Sequence, residues 1–155
     1  MKEFLLITTI IIIISILIFY IIWCYQNKQI TKSIISQLTK YGELKKEDKY
    51  YIFNINNIEY GLYILRVGNS SKLSFNSNKI WEKRYKNNIN LMDMTYFANL
   101  EKPKIVIVYP NLGPYLYYED ENNIKFTNSL ENIWDLRIIP YSKIDEIIPI
   151  LNNGK

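Results

Sequence analysis

The chain has 155 residues, 48% of them hydrophobic, a formal net charge of +4 and no histidine. A charge that small and dispersed marks no nucleic-acid surface, and a chain without histidine lacks the commonest general base and metal ligand at neutral pH. The single cysteine, Cys24, lies in an apolar run, so no intramolecular disulfide, Cys/His catalytic pair or thiolate zinc site can be built.

The first element is the stretch from Phe4 to Tyr25, which holds 22 residues and no charge. As a helix it rises about 33 Å, against a hydrocarbon layer of roughly 30 Å, so it is long enough to cross a bilayer. Thr8, Thr9 and Ser15 are tolerable there because a short hydroxyl can bond to a carbonyl of its own helix. Tyr20, Trp23 and Tyr25 gather at the far end, where amphipathic rings favour the headgroup layer. A cleaved signal peptide would need small residues after the apolar core, and bulky Ile21, Ile22, Trp23 and Tyr25 stand there instead. The outer flank carries Lys2, whereas Lys28, Lys32, Lys40 and Lys45 follow the segment. By the positive-inside bias the remainder is expected on the cytoplasmic side, or the equivalent side of an organelle.

Residues 1–25 are thus read as a transmembrane anchor. From 26 to 42, Ile30, Ile34, Ile35, Leu38 and Tyr41 recur at three- and four-residue spacing, which predicts an amphipathic juxtamembrane helix continuing the anchor, with Gly42 as its C-cap. Residues 43–155 are expected to form one soluble domain, a size that supports its own core. Glu43 to Lys49 reads as a charged linker. Tyr50–Ile55 and Ile58–Val67 are rich in β-formers and flank Asn56-Asn57, a pair that accepts positive φ, so a hairpin is predicted. A turn at Gly68–Ser71 leads to strands over Lys72–Asn76 and Lys79–Tyr85, expected to extend the same sheet.

Asn90 is placed to cap a helix over Leu91–Leu100 with Leu91, Met94 and Ala98 on one face. Lys104–Tyr109, KIVIVY, has the unbroken apolar character of a central strand. Strands over Tyr115–Tyr118, Ile124–Thr127 and Leu136–Ile139 follow. A last helix begins at Ser142, turns Ile144, Ile147, Ile148 and Leu151 inward, and is bent or ended by Pro149. The order of elements predicts an α+β or mixed α/β domain.

Carboxylates carry what catalytic chemistry remains. Glu119-Asp120-Glu121 could hold a cation through oxygen, but it reads as a charged turn between two strands. Asp93, Asp135, Asp145 and Glu146 are read as residues near helix starts, where negative charge suits the dipole. Gly68 and Gly113 are isolated turn glycines and form no phosphate-binding loop.

The order helix, hairpin, polar strand, helix, KIVIVY-like strand, strand and terminal helix is similar to that of restriction-endonuclease-like nuclease domains. That family's metal site uses an acidic residue on one strand and a Glu-x-Lys on the next. Here Ile58–Val67 offers Glu59, the following strand has Ser74 and Asn76 where the pair should stand, and Glu82-Lys83-Arg84 is a Glu-x-Arg one strand further on. Trp81 beside it reads as structural. An anchor running into an amphipathic helix and a sheet also resembles type IV pilins, but the processing glycine and following glutamate of that motif have no match, since Glu3 precedes the apolar run.

The resulting expectation is a membrane-anchored, non-enzymatic protein that contacts the lipid bilayer through residues 4–25 and docks on a protein partner. It is expected to use no cofactor, no metal and no nucleic acid. A divergent nuclease-like hydrolase using Glu59 and Glu82 is the second reading. Along Tyr115-Leu116-Tyr117-Tyr118 both faces of the strand are bulky, so it is either buried on both faces or presents one as a contact surface. Its place between a Pro-bounded loop and an acidic turn suggests an edge with Tyr118 as the candidate partner contact, the plain alternative being a tyrosine packed under a neighbouring loop.

Overall fold

A computed structural model describes residues 2–120, 123–127 and 131–152. The chain divides into two compact units, Met1–Gln37 and Leu38–Lys155.

The first unit is a single helix, α1, spanning Lys2–Leu38. Its stretch Leu6–Leu38 is long and apolar enough to cross a membrane. The hydroxyls satisfy themselves within the helix: Thr8 donates to the Phe4 carbonyl and Ser15 to that of Ile11, each at 2.8 Å. The helix is unbroken through residue 38, as expected for a continuation of the apolar segment. Gly42 is not a left-handed cap, because Gly113 is the only described glycine with positive φ. What requires a glycine at 42 is close approach, since a Cβ there would stand 2.2 Å from the Asn54 carbonyl oxygen.

The second unit is an α+β domain with two sheets rather than one. The first sheet has six strands in the order β1-β2-β3-β7-β11-β10. These are β1 (Glu43–Lys46), β2 (Tyr51–Ile55), β3 (Ile58–Val67), β7 (Lys104–Pro110), β11 (Leu136–Pro140) and β10 (Asn132–Ile133). The second, in the order β6-β5-β4-β8-β9, comprises β4 (Lys72–Phe75), β5 (Ile80–Tyr85), β6 (Asn88–Asp93), β8 (Tyr115–Tyr118) and β9 (Ile124–Thr127). β3 and β7 run parallel with Leu62 opposite Ile105, and β4 and β8 run parallel with Phe75 opposite Tyr117. The chain therefore leaves the first sheet and enters the second twice, side by side.

The predicted β2–β3 hairpin is present, with Asn56 and Asn57 at φ 52° and 63°. Glu43–Lys46 is a strand, not a linker. An exposed edge strand needs no apolar alternation and tolerates lysine. The helix expected over Leu91–Leu100 is also corrected. Asn88–Asp93 is an edge strand paired with β5, with Tyr85 opposite Asn88 and Ile80 opposite Asp93. Only Thr95–Ala98 is helical (α2). The true signal is the period-two alternation of Asn88, Asn90 and Met92 with Ile89 and Leu91. Asp93, not Asn90, caps the turn: its carboxylate accepts the Thr95 N–H at 2.9 Å. These bonds from Thr95 hold the Asp93 carboxyl below its ordinary range.

Asp93 thus lies at the start of α2 as expected, but Asp135 is not at a helix start, for it forms a two-residue turn with Trp134 between β10 and β11. A 3-10 turn over Tyr141–Lys143 carries Ser142 and leads straight into α3 (Ile144–Asn152). That helix begins with Asp145 and Glu146 in its first turn and continues past Pro149. The end of the chain beyond residue 152 and Glu121 lie outside the described residues.

One core lies between the sheets. Leu65, Val67, Val106, Val108, Leu136 and Ile138 come from the first sheet, Leu73, Phe75, Trp81 and Tyr115 from the second, and Phe97 from α2. Trp81, fully buried, is structural as expected. Alternation along β7 puts Ile105 and Ile107 on the opposite face, and they are equally buried. α3 packs on β11 and buries Ile144, Ile147, Ile148 and Leu151. With apolar neighbours above and below, β7 is a central strand that reads as a continuous apolar run.

The two crossings between sheets are fastened by one side chain. Asn111, 6% exposed, donates through Nδ2 to the carbonyls of Gly68 at 3.1 Å and Ser71 at 2.7 Å. Its Oδ1 accepts the Gly113 N–H at 2.8 Å, its backbone N–H reaches the Val67 carbonyl at 3.2 Å, and its carbonyl accepts the Tyr115 hydroxyl at 2.9 Å. Replacing this side chain removes the partners of two carbonyls and one N–H in half-buried turns, and leaves a gap at a buried position. Asn111→Ala is expected to destabilise the domain by about 3 kcal/mol, seen as a fall of over roughly 10 °C in Tm. Asn111→Asp should cost at least as much at neutral pH, because it sets a carboxylate against carbonyl oxygens. Its deficit should narrow as pH falls, since a protonated carboxyl can donate. An unchanged Tm in Asn111→Ala would show that the crossings hold without it.

Candidate functional site

The site is built where three turns meet at one end of the second sheet. Residues Asn76, Ser77 and Asn78 come from the β4–β5 turn, Tyr118, Glu119 and Asp120 from the end of β8, and Trp134 from the β10–β11 turn. They line an open hollow of about 630 Å³.

β8 lies between β4 and β9, so the expectation of an edge strand is overturned. Tyr115 and Tyr117 turn towards the core, as the strand alternation requires, and Leu116 and Tyr118 turn away. Tyr115 is buried, and burial pushes its hydroxyl well above the ordinary tyrosine range. Tyr118 is half-buried and lines the hollow. Bulky residues stand on both faces because one face is core and the other belongs to an outer surface that Phe126 and Ile124 extend, opposite Leu116 and Tyr118 on β9.

Most polar atoms of the lining already serve the turns that carry them. The Ser77 hydroxyl accepts the N–H groups of Lys79 at 3.2 Å and Ile80 at 3.0 Å. Asn76 accepts from the Ser74 hydroxyl and donates to Glu82. Asp120 accepts the Asn123 N–H at 2.9 Å and its side-chain amide at 2.6 Å, and Glu119 pairs with Lys125 at 2.6 Å. Glu119 and Asp120 therefore act as the turn residues the sequence suggested, while Glu121, the third acid of that run, lies outside the described residues. Among the described residues no group of three His, Cys, Asp or Glu side chains could hold a metal ion.

The carboxylates of the hydrolase reading are not brought together. Glu59 stands on β3 in the first sheet and is paired with Lys102. Glu82 stands on β5 in the second sheet, bonded to Arg84 at 2.8 Å. Lys83 points to the other face of β5, where burial, with Arg66 beside it, lowers its ammonium pKa.

Sequence reasoning missed Trp134. It sits in a left-handed turn at φ 51°, a conformation that asparagine and glycine accept and a bulky residue adopts rarely. Its ring packs edge-on against Tyr117 at 6.1 Å and remains 37% exposed. The only local sign in the sequence was the aspartate that follows it. Uncommon backbone conformations persist where surrounding structure enforces them, and they concentrate at functional sites. Tyr118 and Trp134 together give the hollow two aromatic walls.

Compared with known proteins, the chain matches no family model, no curated protein and no solved structure. The similarity of element order to nuclease domains has no counterpart among them.

Trp134→Asn removes one edge-on ring contact worth about 1 kcal/mol and relieves a left-handed conformation of similar cost. The thermal midpoint is therefore expected to shift by no more than a few degrees. A loss above about 3 kcal/mol in chemical denaturation would place the ring in the core instead of at a recognition surface.

Proposed function

We propose that this chain is a single-pass membrane protein, anchored through residues 4–25, with residues 26–42 forming a juxtamembrane helix and the domain on the cytoplasmic or equivalent organellar side. The domain acts without catalysis, as an accessory or assembly subunit that docks on a protein partner. The observation that carries the docking reading is the hollow walled by Tyr118 and Trp134. An exposed tryptophan held in a left-handed turn contributes modestly to the core, and tyrosine and tryptophan are the residues that anchor interfaces. The separation of Glu59 from Glu82, each held by its own cation, favours this reading over the hydrolase. The uncharged apolar helix supports the anchor, and Lys28, Lys32, Lys40 and Lys45 support the orientation.

Two measurements test it. With Cys24 replaced by serine and a cysteine placed at Asn69, an impermeant thiol reagent should label the protein after lysis and not in intact cells; labelling of intact cells reverses the orientation. Tyr118→Ser should leave the thermal midpoint nearly unchanged and reduce recovery of a partner crosslinked in native membranes by about tenfold or more, the scale of an interface anchor. Equal recovery from the variant removes the hollow as the docking site, and unfolding of the variant assigns Tyr118 to the core.

A further inference from the structure

The β5–β6 hairpin, Ile80–Tyr85 and Asn88–Asp93 joined at Lys86-Asn87, has a composition that neither the core nor the hollow uses. Ile89 and Leu91 lie on the face of the second sheet turned away from the core and are 56% and 61% exposed, and Tyr85 at the tip is 47% exposed. Tyr85 shares the other face of β5 with Lys83, and cations flank both faces towards the tip. Arg84 lies opposite Ile89 on the neighbouring strand, and Lys72 lies opposite Arg84. The Lys86 ammonium stands 5.5 Å from the Tyr85 ring centre, and Lys79 is exposed at the hairpin's base. The hairpin's carboxylates are Glu82, paired with Arg84, and Asp93 at its base near Lys79, and Lys72, Lys83 and Lys86 leave the local balance positive.

We propose that this hairpin docks on the anionic surface of the bilayer in which the chain is anchored. The inference rests on the anchored reading above. Two features select lipid over a second copy of the chain. Lysine is depleted in the centres of protein interfaces, and two such hairpins, each with an excess of positive charge, would repel. Exposed aliphatic and aromatic side chains ringed by lysine and arginine are instead the chemistry of surfaces that insert shallowly among anionic headgroups. Covalent continuity supplies proximity: α1 extends about 20 Å beyond residue 25, so the domain stays near the bilayer at high effective concentration. Depth is limited by the backbone. β6 is an edge strand whose outward N–H and C=O groups lack strand partners, so it can enter the headgroup layer but not the hydrocarbon.

The test uses the full chain with Cys24→Ser and Asn87→Cys, carrying an environment-sensitive dye at the turn, in vesicles of phosphatidylcholine alone or with phosphatidylserine. Flotation with the vesicles reports the anchor by itself, and a chain that does not float ends both readings. In a floated chain, docking predicts a blue-shifted dye in phosphatidylserine vesicles only, quenched by shallow but not deep spin-labelled lipid. The shift should vanish in Ile89→Ser/Leu91→Ser. It should also fade as salt rises from about 0.1 M to about 1 M, which cuts the screening length from roughly 10 Å to 3 Å. Lys86→Gln should lower the docked-to-free ratio about fivefold, one lysine's share of the attraction. A floated chain whose dye is unshifted, or shifted equally in both lipids, overturns the proposal. So does a shift that disappears when the protein is diluted in the membrane, because a second copy then covers the hairpin.

Discussion

Asn111 is the constraint on which the domain depends. The chain passes between sheets at 68–71 and again at 111–114, and each passage takes backbone groups out of the ladders beside the buried Asn111. Two carbonyls of the first turn and one amide of the second are taken up by the two ends of a single carboxamide. An asparagine suits this because its side chain donates and accepts at once. With the crossings fixed beside each other, β3 and β7 are parallel neighbours in one sheet and β4 and β8 in the other.

The same arrangement explains why carboxylates do not converge. A strand that changes sheet after each crossing distributes consecutive polar residues over surfaces facing different ways. Glu59 and Glu82 end on separate sheets, each with its own basic partner, and Glu119 and Asp120 are consumed by the β8–β9 turn. What the fold does gather is aromatic: Tyr117, Trp134 and Tyr118 meet where three turns converge. It also leaves the outer face of the second sheet uncovered among the described residues, with Ile89, Leu91, Ile124 and Phe126 open to solvent. The described surface thus combines an aromatic hollow at one end of the second sheet with an apolar, basic hairpin at its edge.

Errors in reading the elements share one cause. Glu43–Lys46 and Asn88–Asp93 are edge strands, and an edge strand exposed to water is free of the apolar pattern by which strands are recognised. Leu91, Met94 and Ala98 have helical spacing, but Leu91 points outward from a sheet while Met94 is buried; spacing alone does not distinguish these cases. The bulk of Tyr118 is visible in sequence, but its position beside the hollow depends on residues 16 to 42 positions away in the chain.

The sequence by itself determined the features whose cause is local. An uncharged apolar run of 22 residues without proline or glycine favours one long helix, so that part of α1 was legible from composition and length. Asn56-Asn57 sets its own turn through tolerance of positive φ, and KIVIVY requires burial on both faces, so the β2–β3 hairpin and the central strand were legible too. The tertiary structure alone decided that the strands divide between two sheets, that β8 lies inside one of them, and that Trp134 packs on Tyr117 beside a hollow that Tyr118 also lines. These depend on which distant segments share hydrogen bonds and packing: Asn111 and the Gly68 carbonyl it holds stand 43 positions apart in the chain.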